Sequence, residues 1–229
     1  MQLTWLGHSA FHLDAGGTNV LIDPFWTGNP RFPEGYEAKL AKVDAIVVTH
    51  GHEDHIGDTI RLAKAYGATL VAQYEICMWA NAQGVEQVEP MNTGGCIESG
   101  GVRYCMVPAF HSAAVMQGGT PMAMGDPAGF VLQVGGRSIY HTGDTALFSD
   151  MALIQRLYRP KVGLVCIGDR FTMGPEAAAI ACNEFLDLEL IVPIHWGTFG
   201  LLSGEPEDFA RRVTRGKVHC ATPGEPFAI

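Results

Sequence analysis

The sequence predicts an α/β fold, a sandwich of mixed β-sheets covered by helices, and three observations carry that expectation. Apolar, β-branched runs alternate with helix-like segments along the 229 residues, the pattern of layered α/β architecture. The first 50 residues read as short strands in close succession, as consecutive hairpins require. No Pro- or Ser-rich linker divides the halves, so residues 1–229 read as a single domain with one shared core.

Taken in order, strands are expected at Leu3 to Leu6, Phe11 to Leu13 and Asn19 to Ile22. A further strand, Ala45 to Thr49, is apolar and β-branched throughout, which fits burial on both faces. His50 opens the loop that leaves it. Thr59 to Tyr66 and Ile76 to Gln83 are helix candidates, with a strand at Thr69 to Ala72 between them. The second half repeats the arrangement, with strands at Tyr104 to Val107, Phe130 to Val134, Ser138 to Tyr140, Gly163 to Ile167 and Leu190 to Pro193. Helices are expected at Met151 to Tyr158, Pro175 to Leu186 and Pro206 to Val213, and Pro175 suits a first helical turn. The stretch 112–129, rich in Gly, Pro and Met, shows no period and is expected to be either a lid over a site or a plain surface loop.

Composition narrows the function. Hydrophobic residues make up 47% of the chain and charged residues 17%, which excludes a disordered protein. Fifteen Lys and Arg stand against 24 Asp and Glu, for a net charge of -9, with no basic run of the kind that nucleic acid or an anionic membrane would need. Cys77, Cys96, Cys105, Cys166, Cys182 and Cys220 form no C-x-x-C pair and read as reduced thiols. The amino terminus does not resemble a signal peptide, and no apolar stretch reaches membrane-spanning length, so the expected location is cytoplasmic.

The chemistry concentrates in Thr49-His50-Gly51-His52-Glu53-Asp54-His55. Three imidazoles and a carboxylate within six residues are ligands suited to zinc and related first-row ions. Burying such groups at a strand end is costly unless a cation satisfies them. A chance cluster of solvated loop residues is the weaker reading, because the segment follows a buried strand. A two-metal site needs further ligands from later strand ends, and His111, Asp144 and His195 each follow an apolar run.

These motifs resemble the metallo-β-lactamase superfamily over almost the whole chain. Leu6-Gly7-His8-Ser9-Ala10-Phe11, Leu21-Ile22-Asp23-Pro24-Phe25, Gly168-Asp169-Arg170-Phe171-Thr172-Met173-Gly174-Pro175 and Pro193-Ile194-His195-Trp196-Gly197-Thr198-Phe199 look like a bacterial and archaeal branch of metal-dependent hydrolases to which the ascorbate-6-phosphate lactonases are related. The resemblance implies an αββα sandwich, two mixed β-sheets packed face to face with helices outside. It implies two divalent metal ions at one edge, with His50, His52 and His111 on one, Asp54, His55 and His195 on the other, and Asp144 bridging. Zinc is the expected metal, with manganese, nickel and iron compatible with the same ligands.

Supporting roles carry alternatives. Asp23 is expected to orient a metal-bound histidine, the alternative being a cap of the turn beside Pro24. His8 either faces the metal pocket, binding or protonating substrate, or is structural. Asp58 caps or salt-bridges the following helix. Asp169 and Arg170 either line the pocket or form a charged turn. His12, His141 and His219 read as structural.

The function expected is hydrolysis of a small ester, lactone or phosphoester by a metal-bridged hydroxide, without a Ser or Cys nucleophile. Asp54, Asp144 and His8 are the candidate catalytic residues. Nucleases of this fold add basic arms that are missing here; an iron-dependent oxidoreductase would be expected to carry a flavin or rubredoxin module; a non-catalytic metal sensor would lack a ligand, and none is lacking. The expected partner is a small-molecule substrate rather than nucleic acid or membrane, and homo-oligomers are common among the relatives.

Overall fold

The computed structural model describes residues 1–229. The first half contains β1 (Gln2–Trp5), β2 (Phe11–Asp14), β3 (Asn19–Ile22), β4 (Ala45–Val47), α1 (Glu53–Ile56), α2 (Thr59–Tyr66), β5 (Thr69–Gln73), α3 (Tyr74–Ala82) and β6 (Val88–Met91). There follow β7 (Cys96–Ser99), β8 (Val102–Pro108), β9 (Ala114–Gln117), β10 (Thr120–Ala123), β11 (Ala128–Val134) and β12 (Arg137–His141). The chain closes with α4 (Met151–Tyr158), β13 (Val162–Cys166), α5 (Pro175–Ile180), β14 (Leu190–Ile194), α6 (Pro206–Arg212), β15 (Lys217–Val218) and β16 (Pro226–Ala228). One seven-stranded sheet has the order β16-β1-β2-β3-β4-β5-β6, and the other β15-β14-β13-β12-β11-β8-β7. This is the α/β sandwich of two mixed sheets that the strand and helix alternation predicts.

Period-two side-chain alternation explains why the first sheet is buried on both faces. Val20, Ile22, Ala45, Val47 and Val71 join the core that the two sheets share with Tyr104, Phe130 and Tyr140. Their neighbours Leu21, Ile46, Leu70 and Ala72 point the other way, into a second core closed by Leu62 and Ala63 of α2 and by Ile76, Cys77 and Ala80 of α3. Helix α2 ends where Gly67 takes the left-handed conformation and donates its N–H to the Ala63 carbonyl, a stop that glycine makes without steric cost. Pro175 occupies the first turn of α5, and the helix expected through Leu186 continues as a π-helical turn over Ala181–Phe185.

Two expectations are corrected. The 112–129 stretch is not structureless, because β9 and β10 pair there as an antiparallel hairpin. The cysteines are not all free: Cys96 and Cys105 face each other across β7 and β8 and are joined by a disulfide. With β7 unrecognised, nothing in their spacing showed that they would be cross-strand partners. No helix is long and apolar enough to cross a membrane.

Candidate metal centre

Strand direction gathers the site. β1 and β3 both run antiparallel to β2, and β4 runs parallel to β3, so the carboxyl ends of β1, β3 and β4 share one edge. In the second sheet β8 and β12 both run antiparallel to β11, while β13 and β14 run parallel to β12. Its edge therefore receives the carboxyl ends of β8, β12 and β14. His8, Asp23 and the His50–His55 loop leave the first edge; His111, Asp144 and His195 leave the second.

The backbone at these exits is bent back. His8, Asp23 and His195 all adopt positive φ, at 55°, 43° and 59°, although each is a buried non-glycine residue. Such conformations persist only where surrounding contacts fix them. Gly143, at φ 59°, precedes Asp144 and lies so close to the Ala128 carbonyl that a Cβ there would collide with it. His141 holds this turn by donating Nε2–H to the Ser9 carbonyl and accepting the Gly143 N–H at Nδ1.

All seven predicted ligand residues converge. His50 Nε2 lies 3.0 Å from His52 Nδ1, and His111 Nε2 lies 3.2 Å from the same atom. Across the site His195 Nε2 is 2.9 Å from Asp144 Oδ2 and 3.7 Å from Asp54 Oδ2, and His55 Nε2 is 3.3 Å from Asp144 Oδ1. Asp144 also comes within 3.6 Å of His111, so its carboxylate faces both groups.

The donor set fits divalent cations on two grounds. A tetrahedral ion with bonds of about 2.0–2.1 Å to nitrogen holds its ligands about 3.3 Å apart, close to the His50, His52 and His111 spacing. In addition, His55 Nε2 and Asp144 Oδ1 are buried and face each other at 3.3 Å without a well-formed hydrogen bond, a pairing that a cation between them would satisfy better.

Asp23 sets which nitrogens face inward. It is fully buried and accepts His55 Nδ1–H at 2.8 Å, the Thr49 N–H at 2.7 Å and the Thr49 hydroxyl at 2.7 Å. Thr49 Oγ1 in turn accepts His50 Nδ1–H at 3.1 Å. Both histidines therefore aim Nε2 into the cluster, and Asp23 is placed for the orienting role expected of it. Thr49 was not foreseen, because a threonine ending a β-strand carries no signal of its own.

His8 departs from its expected catalytic role. Its ring is fully buried, with Nε2 3.0 Å from Asp54 Oδ2 and Nδ1 2.9 Å from Thr198 Oγ1. Its donor atom lies within 4.8 Å of those of Asp54, His55 and His195, but both ring nitrogens have hydrogen-bond partners and the ring does not line the cavity beside the candidate ligands. Burial, followed by the neighbouring His195, lowers its pKa to about 4. It is thus neutral near pH 7, donating Nε2–H to Asp54 and accepting from Thr198. His8 is a positioning residue for Asp54.

Asp169 and Arg170 form the charged turn rather than the pocket wall. Asp169 accepts the Ser203 hydroxyl at 2.8 Å, Arg170 lies over the Phe171 ring, and the cavity is lined instead by Phe171. Asp58 anchors the loop after β3, accepting the N–H groups of Trp26 and Thr27 and pairing with Arg61. Arg31 was not singled out from sequence, yet it stacks over Trp196 and donates Nε–H to the Gly197 carbonyl. Trp196 stacks in turn on Trp5, which braces the loop carrying His195.

Electrostatics divide the cluster. Burial, followed by His55, holds His50 well below the usual imidazole range, and burial also lowers His52 and His111. In His195 burial opposes the charged form, but Asp144 and Asp54 outweigh it and raise the pKa to about 9. The same contest raises His55 well above its ordinary value, through Asp144, Asp23 and Asp54. Without metal, protons on His55 and His195 neutralise the carboxylates.

Comparison with known proteins identifies the family. A family model described as the beta-lactamase superfamily domain matches residues 18–196. A UPF0173 metal-dependent hydrolase of Methanopyrus kandleri is 48% identical over 213 residues, spanning 93% of this chain and 91% of that protein. One from Methylobacterium nodulans is 42% identical over 233 residues, spanning 100% and 99%. The solved structure of Igni18, a metallo hydrolase from Ignicoccus hospitalis, superposes with a TM-score of 0.88 at 35% identity, covering 100% of this chain and 98% of that one. The chain belongs to the β-lactamase superfamily, and within it to the UPF0173 metal-dependent hydrolases.

Two outcomes are expected. Asp23→Ala strands the Thr49 N–H and the His55 Nδ1–H, so it should cost about 3–5 kcal/mol of stability and about 10–100-fold in metal affinity. Denaturant melts and chelator competition measure these, and an unchanged affinity would contradict the orienting role. Metal uptake at pH 7.5 should also release protons, since His195, with its pKa near 9, and His55 must give theirs up. Apparent affinity should therefore rise with pH toward 9 and fall as the solution is acidified; titration calorimetry in buffers of different ionisation enthalpy would contradict this by showing no proton release.

Proposed function

We propose that the chain is a dinuclear metal-dependent hydrolase of a small ester, lactone or phosphoester. The observation that carries this reading is the convergence of seven donors into two groups with Asp144 facing both. His50, His52 and His111 would hold one ion, Asp54, His55 and His195 the other, and Asp144 would bridge. Zinc is the proposed metal, and manganese, nickel or iron suits the same donors. Two divalent cations bound here supply acidified water near neutral pH and Lewis acidity toward the scissile carbonyl or phosphoryl oxygen.

The side chains account for the remaining work. Asp54 and Asp144 both line the cavity. Burial raises the pKa of each, but His55 and His195 outweigh it and hold both carboxylates ionised. Their free lone pairs would orient an attacking water by accepting its hydrogen bonds. His8 keeps Asp54 in place through Nε2–H. No side chain is set up as a nucleophile: burial pushes the Cys166 thiol up to about 11, and the Ser112 hydroxyl stands 3.4 Å from its nearest base, His52 Nε2. The net charge of -9 supports a small-molecule substrate rather than nucleic acid, and the proposed location is cytoplasmic.

Metal-replete protein should hold about two ions per chain and hydrolyse one class in a panel of lactones, aryl esters and phosphodiesters. Asp144→Ala should lose metal and at least 100-fold in activity together, given how far catalysis depends on a bound metal. Elemental analysis paired with initial rates tests this, and a fully active Asp144→Ala would overturn the bridging role.

A further inference from the structure

We infer that this centre takes an uncharged carboxylic ester or lactone with an apolar acyl portion, held by Met116, Pro121 and Phe171. The inference rests on the hydrolase reading above and narrows its substrate. The cavity beside the metal ligands has a volume of about 570 Å³, room for a small molecule. Its two walls differ in chemistry. One is the ligand cluster; the other is the β9–β10 hairpin together with Phe171.

The hairpin is built to present an apolar face. Met116 and Pro121 are direct cross-strand partners, as are Val115 and Met122 one position along. Val115 and Met124 are buried in the core beneath α2 and α3, so alternation turns Met116 and Pro121 to the opposite face, where they line the cavity. Gly51 allows this closeness, because a Cβ there would come within 2.8 Å of the Met124 side chain. The ligand loop and the hairpin are thus packed at a fixed separation. Met116 is 51% exposed and Phe171 50% exposed, large apolar groups left half uncovered beside a polar centre, which marks a binding surface.

Charge argues against an anion. No Lys or Arg lines the cavity, and the one charged side chain there besides the ligands is Glu53. Arg170 is spent on the Phe171 ring, 5.7 Å from its centroid. Phosphate sites rely on Arg forks or Lys, and Glu53 would repel a second negative group. Asp23, Asp54 and Asp144 already offset most of the charge of two divalent cations, leaving little attraction for an anionic substrate. In the reaction, the water oxygen bonds to the acyl carbon, the acyl C–O bond breaks, and the leaving alkoxide oxygen takes a proton from that water. The products are the acid and the alcohol, or the hydroxy acid from a lactone.

The test uses metal-loaded full-length protein and n-alkyl hydroxamic acids from acetyl to octanoyl, whose head groups bind metal whether or not any ester is turned over. Calorimetric Kd should fall about threefold for each added CH2, near the transfer value for a partly buried methylene. Met116→Ser with Phe171→Ser should flatten that slope, while Met116→Leu, which keeps the apolar volume, should retain it. In parallel, p-nitrophenyl butyrate should exceed both p-nitrophenyl succinate and p-nitrophenyl phosphate in kcat/KM by at least about tenfold, the weight of one unpaired buried charge. Tight acetohydroxamic acid binding with a flat chain-length series, or a preference for the phosphate or succinate, would overturn the apolar acyl site and leave the hydrolase reading standing. Failure of metal-loaded protein to bind acetohydroxamic acid at all would overturn the hydrolase reading, and this inference with it.

Discussion

A single buried carboxylate, Asp23, couples the ends of β3 and β4, from which the first sheet's share of the centre is built. It closes β3 against the loop after β4 through Thr49 and fixes the ring of His55 directly and that of His50 through the Thr49 hydroxyl. A buried carboxylate is tolerated only when its lone pairs are satisfied. The requirement works in both directions, since satisfying Asp23 also sets the tautomers that aim two imidazoles inward. The positive φ at Asp23 is the backbone conformation that accompanies this arrangement.

The rest of the architecture brings the second sheet into register with that constraint. His111, Asp144 and His195 arrive on strands whose carboxyl ends share an edge, and each is fixed by a contact outside the ligand set. His141 grips the Gly143 turn, the His195 N–H donates to the His8 carbonyl, and the stack of Trp5, Trp196 and Arg31 supports the following loop. The two halves therefore meet at the ligands, and neither half could hold a bridging carboxylate alone. Preorganisation of this kind allows metal-ligating side chains to stay within reach of one another despite their cost of burial.

The fold class and the residues that converge at this edge were legible because their signals are local. Alternating strand patterns, strand ends and the spacing of His50, His52, Asp54 and His55 all lie within short windows, and the period of each pattern has a direct structural meaning. What was not legible depends on pairs distant in sequence. The role of His8 rests on Asp54 and Thr198, the Cys96–Cys105 bond rests on a register set by an unrecognised strand, and the support from Arg31 rests on Trp196. The 112–129 hairpin was hidden for another reason: Pro121 and the Gly118-Gly119 turn interrupt any period, and only packing against Gly51 and the first sheet makes strands of its flanks.

The central claim, that two metal ions share this edge with Asp144 between them, is tested most directly by anomalous diffraction from crystals of the zinc-loaded protein. Two peaks about 3.5–4 Å apart are predicted, as in two-metal hydrolase sites, one among His50, His52 and His111 and the other among Asp54, His55 and His195. A single peak, or density at any other group of side chains, would contradict it.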